Sequence, residues 1–207
     1  GGTDIQAGSL VIDGTTAAAS GVTVRAGATL GGGGNIGGSV TVEAGGNVAP
    51  GSSAGVLTTG SIAFVAGSTF TVELGGLTAG TGAGHHDQLV IPATGTVDLG
   101  GATLSASLIG GFTPDSSTLQ SLTIIDNQGA SDVTGQFAGL PEGSPISLGG
   151  GHVVFISYRG GDGNDVQLNS QPVFHGSAGD DSVRIVYNPA TSKTEVHLGT
   201  LTVVELT

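Results

Sequence analysis

Gly21-Val22-Thr23-Val24-Arg25-Ala26-Gly27-Ala28-Thr29-Leu30 is echoed 18 residues later, from position 39, by Ser39-Val40-Thr41-Val42-Glu43-Ala44-Gly45-Gly46-Asn47-Val48. A looser copy, Ser61-Ile62-Ala63-Phe64-Val65-Ala66-Gly67-Ser68-Thr69-Phe70, follows after a further 22 residues. Gln88-Leu89-Val90-Ile91-Pro92-Ala93-Thr94-Gly95-Thr96-Val97 follows at a longer interval. Within a copy the apolar residues alternate, as in Val22/Val24 and Val40/Val42, which is the period of a strand with one buried face. Ala-Gly or Gly-Gly then turns the chain, and glycine suits a corner that needs φ > 0 because it has no β-carbon. A unit of about 20 residues is too short to bury its own apolar face, so neighbouring copies must stack into one continuous core. The pattern predicts an all-β fold, a parallel β-helix or solenoid.

Composition narrows the class further. Of 207 residues 41 are Gly, none is Cys, Met or Trp, and only 10% are charged, which disfavours a helical bundle. Hydrophobic residues make up 37%, enough to build a core and more than a disordered chain carries. Sixteen acidic residues stand against four basic ones, Arg25, Arg159, Arg184 and Lys193, for a formal charge of −12. Phosphate neutralisation needs clustered Lys and Arg, so no nucleic-acid partner is expected, and an anionic membrane surface is disfavoured on the same ground. No stretch approaches the roughly 18 apolar residues of a spanning helix, so no membrane insertion by this segment is expected. Without Cys, neither disulfides nor thiolate metal sites contribute.

Three regions follow. Residues 1–101 carry the repeats. In 102–168 the units lengthen and Phe112, Phe137, Phe155 and Tyr158 enter; Thr118 to Asp126 and His152 to Tyr158 read as longer strands, as suits a terminal cap over the last repeat. Residues 169–207 break the pattern at Asn169-Ser170-Gln171-Pro172 and read as three short strands around an Asn188-Pro189 turn, a small antiparallel meander. About 35 residues are too few for an independent core, so this tail must dock on the solenoid, on a second copy or on another domain.

The run from Gly8 to Gly60, including Gly31-Gly32-Gly33-Gly34-Asn35-Ile36-Gly37-Gly38 and Val48-Ala49-Pro50-Gly51-Ser52-Ser53-Ala54-Gly55, resembles the autotransporter-associated β-strand repeat of large bacterial surface and secreted proteins. Phe70 to Leu74, Asp87 to Val90, Phe137 to Gly143 and Ile156 to Leu168 resemble the segment that closes such arrays. The resemblance spans 8–168 and implies a β-solenoid outside the cell or at its surface; it implies no activity. A C-terminal membrane barrel needs alternating strands and aromatic girdles, for which two Tyr and six Phe give no material.

Gly160-Gly161-Asp162-Gly163-Asn164-Asp165-Val166-Gln167-Leu168 resembles the calcium-binding nonapeptide of repeats-in-toxin proteins, and Gly176-Ser177-Ala178-Gly179-Asp180-Asp181-Ser182-Val183-Arg184 is a partial second copy. The resemblance makes Asp162, Asn164, Asp165, Asp180 and Asp181 candidate oxygen ligands for Ca²⁺. Gln167 at the apolar eighth position and Ser177 at the second glycine depart from the pattern, and the copies start 16 residues apart, at 160 and 176, outside a nine-residue phase. Ordinary Asp/Asn/Gly turns are the competing reading.

His85-His86-Asp87 raises the question of a metal or a His-carboxylate pair, but adjacent strand residues point to opposite faces. His152, His175 and His197 stand alone. Asp13, Glu43, Glu73 and Asp98 are spread among different repeats with Arg25 the sole basic residue before Arg159, a poor basis for polysaccharide cleavage. Expected, therefore, is a non-enzymatic extracellular structural protein, a scaffold, stalk or fibre module of a bacterial surface protein. Its open ends, or its tail, offer a route to homo-oligomers or filaments. The alternatives are an adhesin fragment contacting carbohydrate or another cell through its long face or loops around 80–87 and, third, a polysaccharide-degrading enzyme; the lack of Trp disfavours a sugar platform.

Overall fold

A computed structural model describes residues 1–173 and, beyond them, the backbone of the strands Val183–Asn188, Lys193–Leu198 and Leu201–Leu206. Among the described residues there is no helix, and the fold is all-β with parallel and mixed sheets.

The repeats pair as parallel neighbours at the spacings legible in the sequence. Val22–Val24 lies on Asn35–Val42 with Val22 opposite Val40, a step of 18 residues, and Val40 lies opposite Ile62, a step of 22. Parallel pairing in register puts equivalent side chains on top of one another, so the alternating apolar residues become columns. One column runs Ile5, Val24, Val42 and Phe64; another runs Leu10, Leu30, Val48, Phe70 and Leu104. Leu30, Val42, Val48 and Phe70 are sealed from solvent. Each such side chain contributes on the order of 1.5–3 kcal/mol relative to exposure.

The recurrent Ala-Gly is a tight turn, repeated from pass to pass. Ala28 N–H donates to Arg25 O at 3.0 Å, Gly46 to Glu43 at 2.8 Å and Ser68 to Val65 at 2.9 Å. The third residue of these turns is Gly27, Gly45 or Gly67, with φ of +77°, +80° and +86°, the conformation a type II turn requires and a β-carbon opposes. The turns also bond to each other, Gly27 N–H to Gly45 O at 2.9 Å and Gly45 N–H to Gly67 O at 2.8 Å.

The later passes depart from the expected register. Gln88–Ile91 was expected to echo Ser61 onward; instead Leu89 lies opposite Leu57, and it is Val97 that lies opposite Ile62. Leu89/Ile91 and Ile62/Phe64 share the period of two, and period alone does not carry register. The 75–87 excursion and a tight turn closed by Gly95 N–H on Pro92 O set the actual position.

Parallel pairing ends at Ser121–Asn127. One edge of this strand runs parallel to Gln88–Ile91; the other is antiparallel to Asp165–Asn169, which is followed by His152–Gly160 and Pro145–Gly149, all antiparallel. Thr118 to Gln120, expected within the strand, precede it, and the second strand runs on to Gly160. Of the aromatic residues in this region Phe137 and Tyr158 are buried, whereas Phe112 and Phe155 are half-buried. Phe70 stacks on Phe137 with centroids 6.2 Å apart and planes within 5°, and Phe137 meets Tyr158 at 6.3 Å. The Tyr158 hydroxyl donates to Leu140 O at 2.7 Å and accepts from Phe137 N–H at 3.0 Å; burial pushes its pKa up to about 12. At the opposite end Thr3–Ile5 and Gly8–Val11 are edge strands, each paired on one side only. The tail strands form their own antiparallel three-stranded sheet, Val186 opposite Glu195 and Val196 opposite Val204.

Candidate functional site

The densest ionisable chemistry lies where the chain leaves the passes between Leu74 and Gln88. His85–His86 is a two-residue strand whose second member turns inward and whose first stays half-buried. His86 is 2% exposed, with Nδ1 2.9 Å from Gly76 O and Nε2 3.2 Å from Thr123 O. Burial holds its pKa below the usual imidazole value, so the ring is neutral at pH 7 and donates one proton. Gln88 Nε2 also donates to Thr123 O, at 2.9 Å.

Asp87, 1% exposed, is held from two other segments. Its Oδ1 accepts from Gly55 N–H at 2.8 Å and its Oδ2 from Glu73 N–H at 2.7 Å. Burial pushes its pKa up to about 7 despite the two amides, and the Glu73 charge adds to the rise. Together His86 and Asp87 tie the excursion to three parts of the fold. The opposite-faces expectation for the pair of histidines fits this geometry; the burial was not foreseen, because a two-residue strand among glycines shows no alternation.

Above this anchor is an open cleft of about 440 Å³ between Asp13 and Gly33, the 51–55 bend, and Thr81 and Gly82. Of its lining residues only Asp13 is ionisable, and one of its carboxylate oxygens accepts from Gly33 N–H at 3.0 Å. Ser52, Ser53 and Thr81 supply hydroxyls. A second shallow groove of about 500 Å³ lies on the sheet face around Thr3, Thr23, Ser39 and Thr41. Arg25 beside it is committed, donating to Asp4 at 2.8 Å and to Glu43 at 2.6 Å, and it holds the Asp4 carboxyl below the usual range.

The nonapeptide-like residues separate. Asp162 is exposed in the 161–164 turn, whereas Asn164 and Asp165 point inward. Asn164 Nδ2 donates to Gly129 O at 2.5 Å, and Asp165 Oδ1 accepts from Asn127 N–H at 2.9 Å. Burial, the amide of Asn127 and the charges of Asp126 and Asp162 leave the Asp165 pKa raised to about 6, with burial the main cause. Among the described residues no three His, Cys, Asp or Glu side chains are placed to share a metal ion. Asp180, Asp181 and His175 lie outside the described residues.

The two raised carboxyls give a pH dependence of stability. Unfolded, each titrates near 3.8; folded, near 7 and 6, so between those limits the folded chain binds more protons and stability increases as pH falls. His86 acts in the opposite sense, losing stability as pH drops below about 6.5. Two groups outweigh one, so the midpoint of urea unfolding should rise from about pH 8 to about pH 5, and Asp87→Asn should remove the larger part of that rise. A midpoint that is flat or falls over this range would contradict the burial assigned to Asp87.

No protein-family model matches the chain, and no curated protein matches it.

Proposed function

We propose that the chain is a non-enzymatic structural module of a secreted bacterial surface protein, a β-solenoid scaffold or stalk whose last parallel strand is capped by antiparallel strands and aromatic rings. The observation that carries this reading is the column Leu10, Leu30, Val48, Phe70 and Leu104, continuous through successive parallel strands. Such stacking uses the backbone amides in ladders and spends the apolar side chains on one core, which is the economy of a spacer. Extension or self-association would use the edges at Thr3–Ile5 and Gly8–Val11, whose outer backbone groups have no ladder partner among the described residues.

Limited digestion of the folded protein with a broad-specificity protease, read by mass spectrometry, tests the reading. Cuts confined to the excursions around 76–86 and 110–119, with the parallel strands retained, are expected. Early cuts within 22–74 would overturn it.

A second reading, an adhesin fragment, is favoured by the hydroxyl-lined cleft at Ser52, Ser53 and Thr81. It predicts saturable binding on a carbohydrate array that Thr81→Trp abolishes.

A further inference from the structure

The chain has two Asp-Gly steps, Asp13-Gly14 and Asp162-Gly163, and no Asn-Gly step. Such a step is chemically weak, because glycine has no β-carbon to shield its nitrogen or restrict its backbone, and that nitrogen can reach the preceding carboxyl. The fold treats the two steps differently. Asp162-Gly163 lies in the 161–164 turn, where Gly163 N–H donates to Gly160 O at 2.8 Å and φ is +118°. Its nitrogen must leave that acceptor before it can react. Asp13-Gly14 lies in the bend between Gly8–Val11 and Thr15–Thr16, and both residues are exposed.

This bend is pinned on both sides and free in the middle. Ile12 N–H donates to Gly31 O at 3.0 Å, Gly34 N–H to Ile12 O at 2.8 Å and Asn35 N–H to Gly14 O at 2.8 Å. The peptide group between these anchors, Asp13 C=O with Gly14 N–H, has no backbone partner among the described residues. The Asp13 carboxyl is meanwhile held for attack, its Oδ1 accepting from Gly33 N–H at 3.0 Å. Negative charge develops on that oxygen when a nitrogen adds to Cγ, and a fixed amide donor stabilises it.

We propose that Asp13-Gly14 is a site of spontaneous modification in the folded chain, passing through a succinimide to isoaspartate, and that the fold protects Asp162-Gly163 from the same reaction. Gly14 N bonds to Asp13 Cγ, the Cγ–Oδ2 bond breaks, and Oδ2 leaves as water, carrying the amide proton and the proton of the carboxyl group. Water then adds to one of the two ring carbonyl carbons. Addition at Cγ restores aspartate. Addition at the main-chain carbon breaks its bond to Gly14 N, so the chain runs on through Cβ and Cγ and the carboxylate is left on Cα. Water is the only outside reactant. The product has a longer main chain and a carboxylate moved away from Gly33, so the contact that joins the 12–14 bend to Gly33 at the wall of the cleft is lost.

The test holds the folded chain for several weeks in ¹⁸O-enriched water at mildly acidic pH and body temperature, then unfolds it, digests it with trypsin in ordinary water and reads the peptides by mass spectrometry. Each ring opening leaves one heavy oxygen in the residue. Arg25, Arg159 and Arg184 put the two steps on separate peptides, 1–25 and 160–184, and fragmentation assigns the label to its residue. Asp13 should gain label about fivefold faster than Asp162, the factor set by one hydrogen bond of ordinary net strength. In urea the two rates should converge, because the difference belongs to the fold. Gly14→Ala meets nothing within 4 Å and should fold as the wild type does, yet label far more slowly at Asp13. Label at Asp162 equal to or above that at Asp13 in the folded chain would overturn the proposal. So would a gap that persists in urea, or a Gly14→Ala chain that labels at Asp13 as fast as the wild type.

Discussion

Phe70→Ala is expected to destabilise the chain by about 3–5 kcal/mol, more than any other single truncation considered. Phe70 is fully buried and sits in the column between Val48 and Leu104. It also links the parallel strands to the antiparallel region: its centroid is 5.9 Å from that of Phe64 on one side and 6.2 Å from that of Phe137 on the other. Truncation removes the transfer free energy of the ring and leaves a void that ladders fixed by backbone hydrogen bonds cannot close by collapse. Phe137 loses its stacked partner, and Tyr158, which bonds to the backbone of Phe137, is loosened with it. Phe70→Leu keeps most of the volume and should cost about 1 kcal/mol. Both values come from urea midpoints and slopes; a loss below about 1 kcal/mol for Phe70→Ala would show that Phe70 and Phe137 do not share a core.

Much of the repeat architecture was legible because one short pattern recurs with its turn attached. Val22/Val24 before Ala26-Gly27 and Val40/Val42 before Ala44-Gly45 give both the strand period and the corner, and the observed pairing steps of 18 and 22 follow from them. Register was lost at Gln88–Ile91 once the turn changed from Ala-Gly to Pro92-Ala93-Thr94-Gly95, since alternation without a marker allows several pairings. The three-stranded tail was legible from Asn188-Pro189 between alternating runs.

The candidate sites were less accessible. His86 and Asp87 follow the glycines of 80–84 with no alternation to mark burial, and only pairing with Leu74, Gly55 and Glu73 buries them. The nonapeptide-like run gave correct turn residues at 161–164, but an antiparallel neighbour turns Asn164 and Asp165 inward, and no local pattern encodes that.

Substitution at Gly60 has the second large expected effect, and its sign discriminates. Gly60 lies within Val56–Phe64, and a methyl there would stand 2.6 Å from Gly37 O and 3.1 Å from Gly38 O, backbone against backbone on the neighbouring pass. In a strand with open space on that side, Gly→Ala would stabilise by roughly 0.5–1 kcal/mol, because Gly60 is not in the left-handed region. Packed as found, neither side can yield by a rotamer change, and Gly60→Ala should destabilise by about 1–3 kcal/mol. Gly82, at φ +86° with nothing within 4 Å of a β-carbon, is the control: Ala there should cost about 1 kcal/mol from backbone strain alone.

The central claim, that successive parallel strands lie backbone on backbone where Gly60 faces Gly37 and Gly38, is therefore tested most directly by the unfolding free energy of Gly60→Ala measured beside Gly82→Ala. A clear loss at Gly60, exceeding that at Gly82, is the predicted result; a Gly60→Ala chain as stable as the wild type, or more stable, would contradict it.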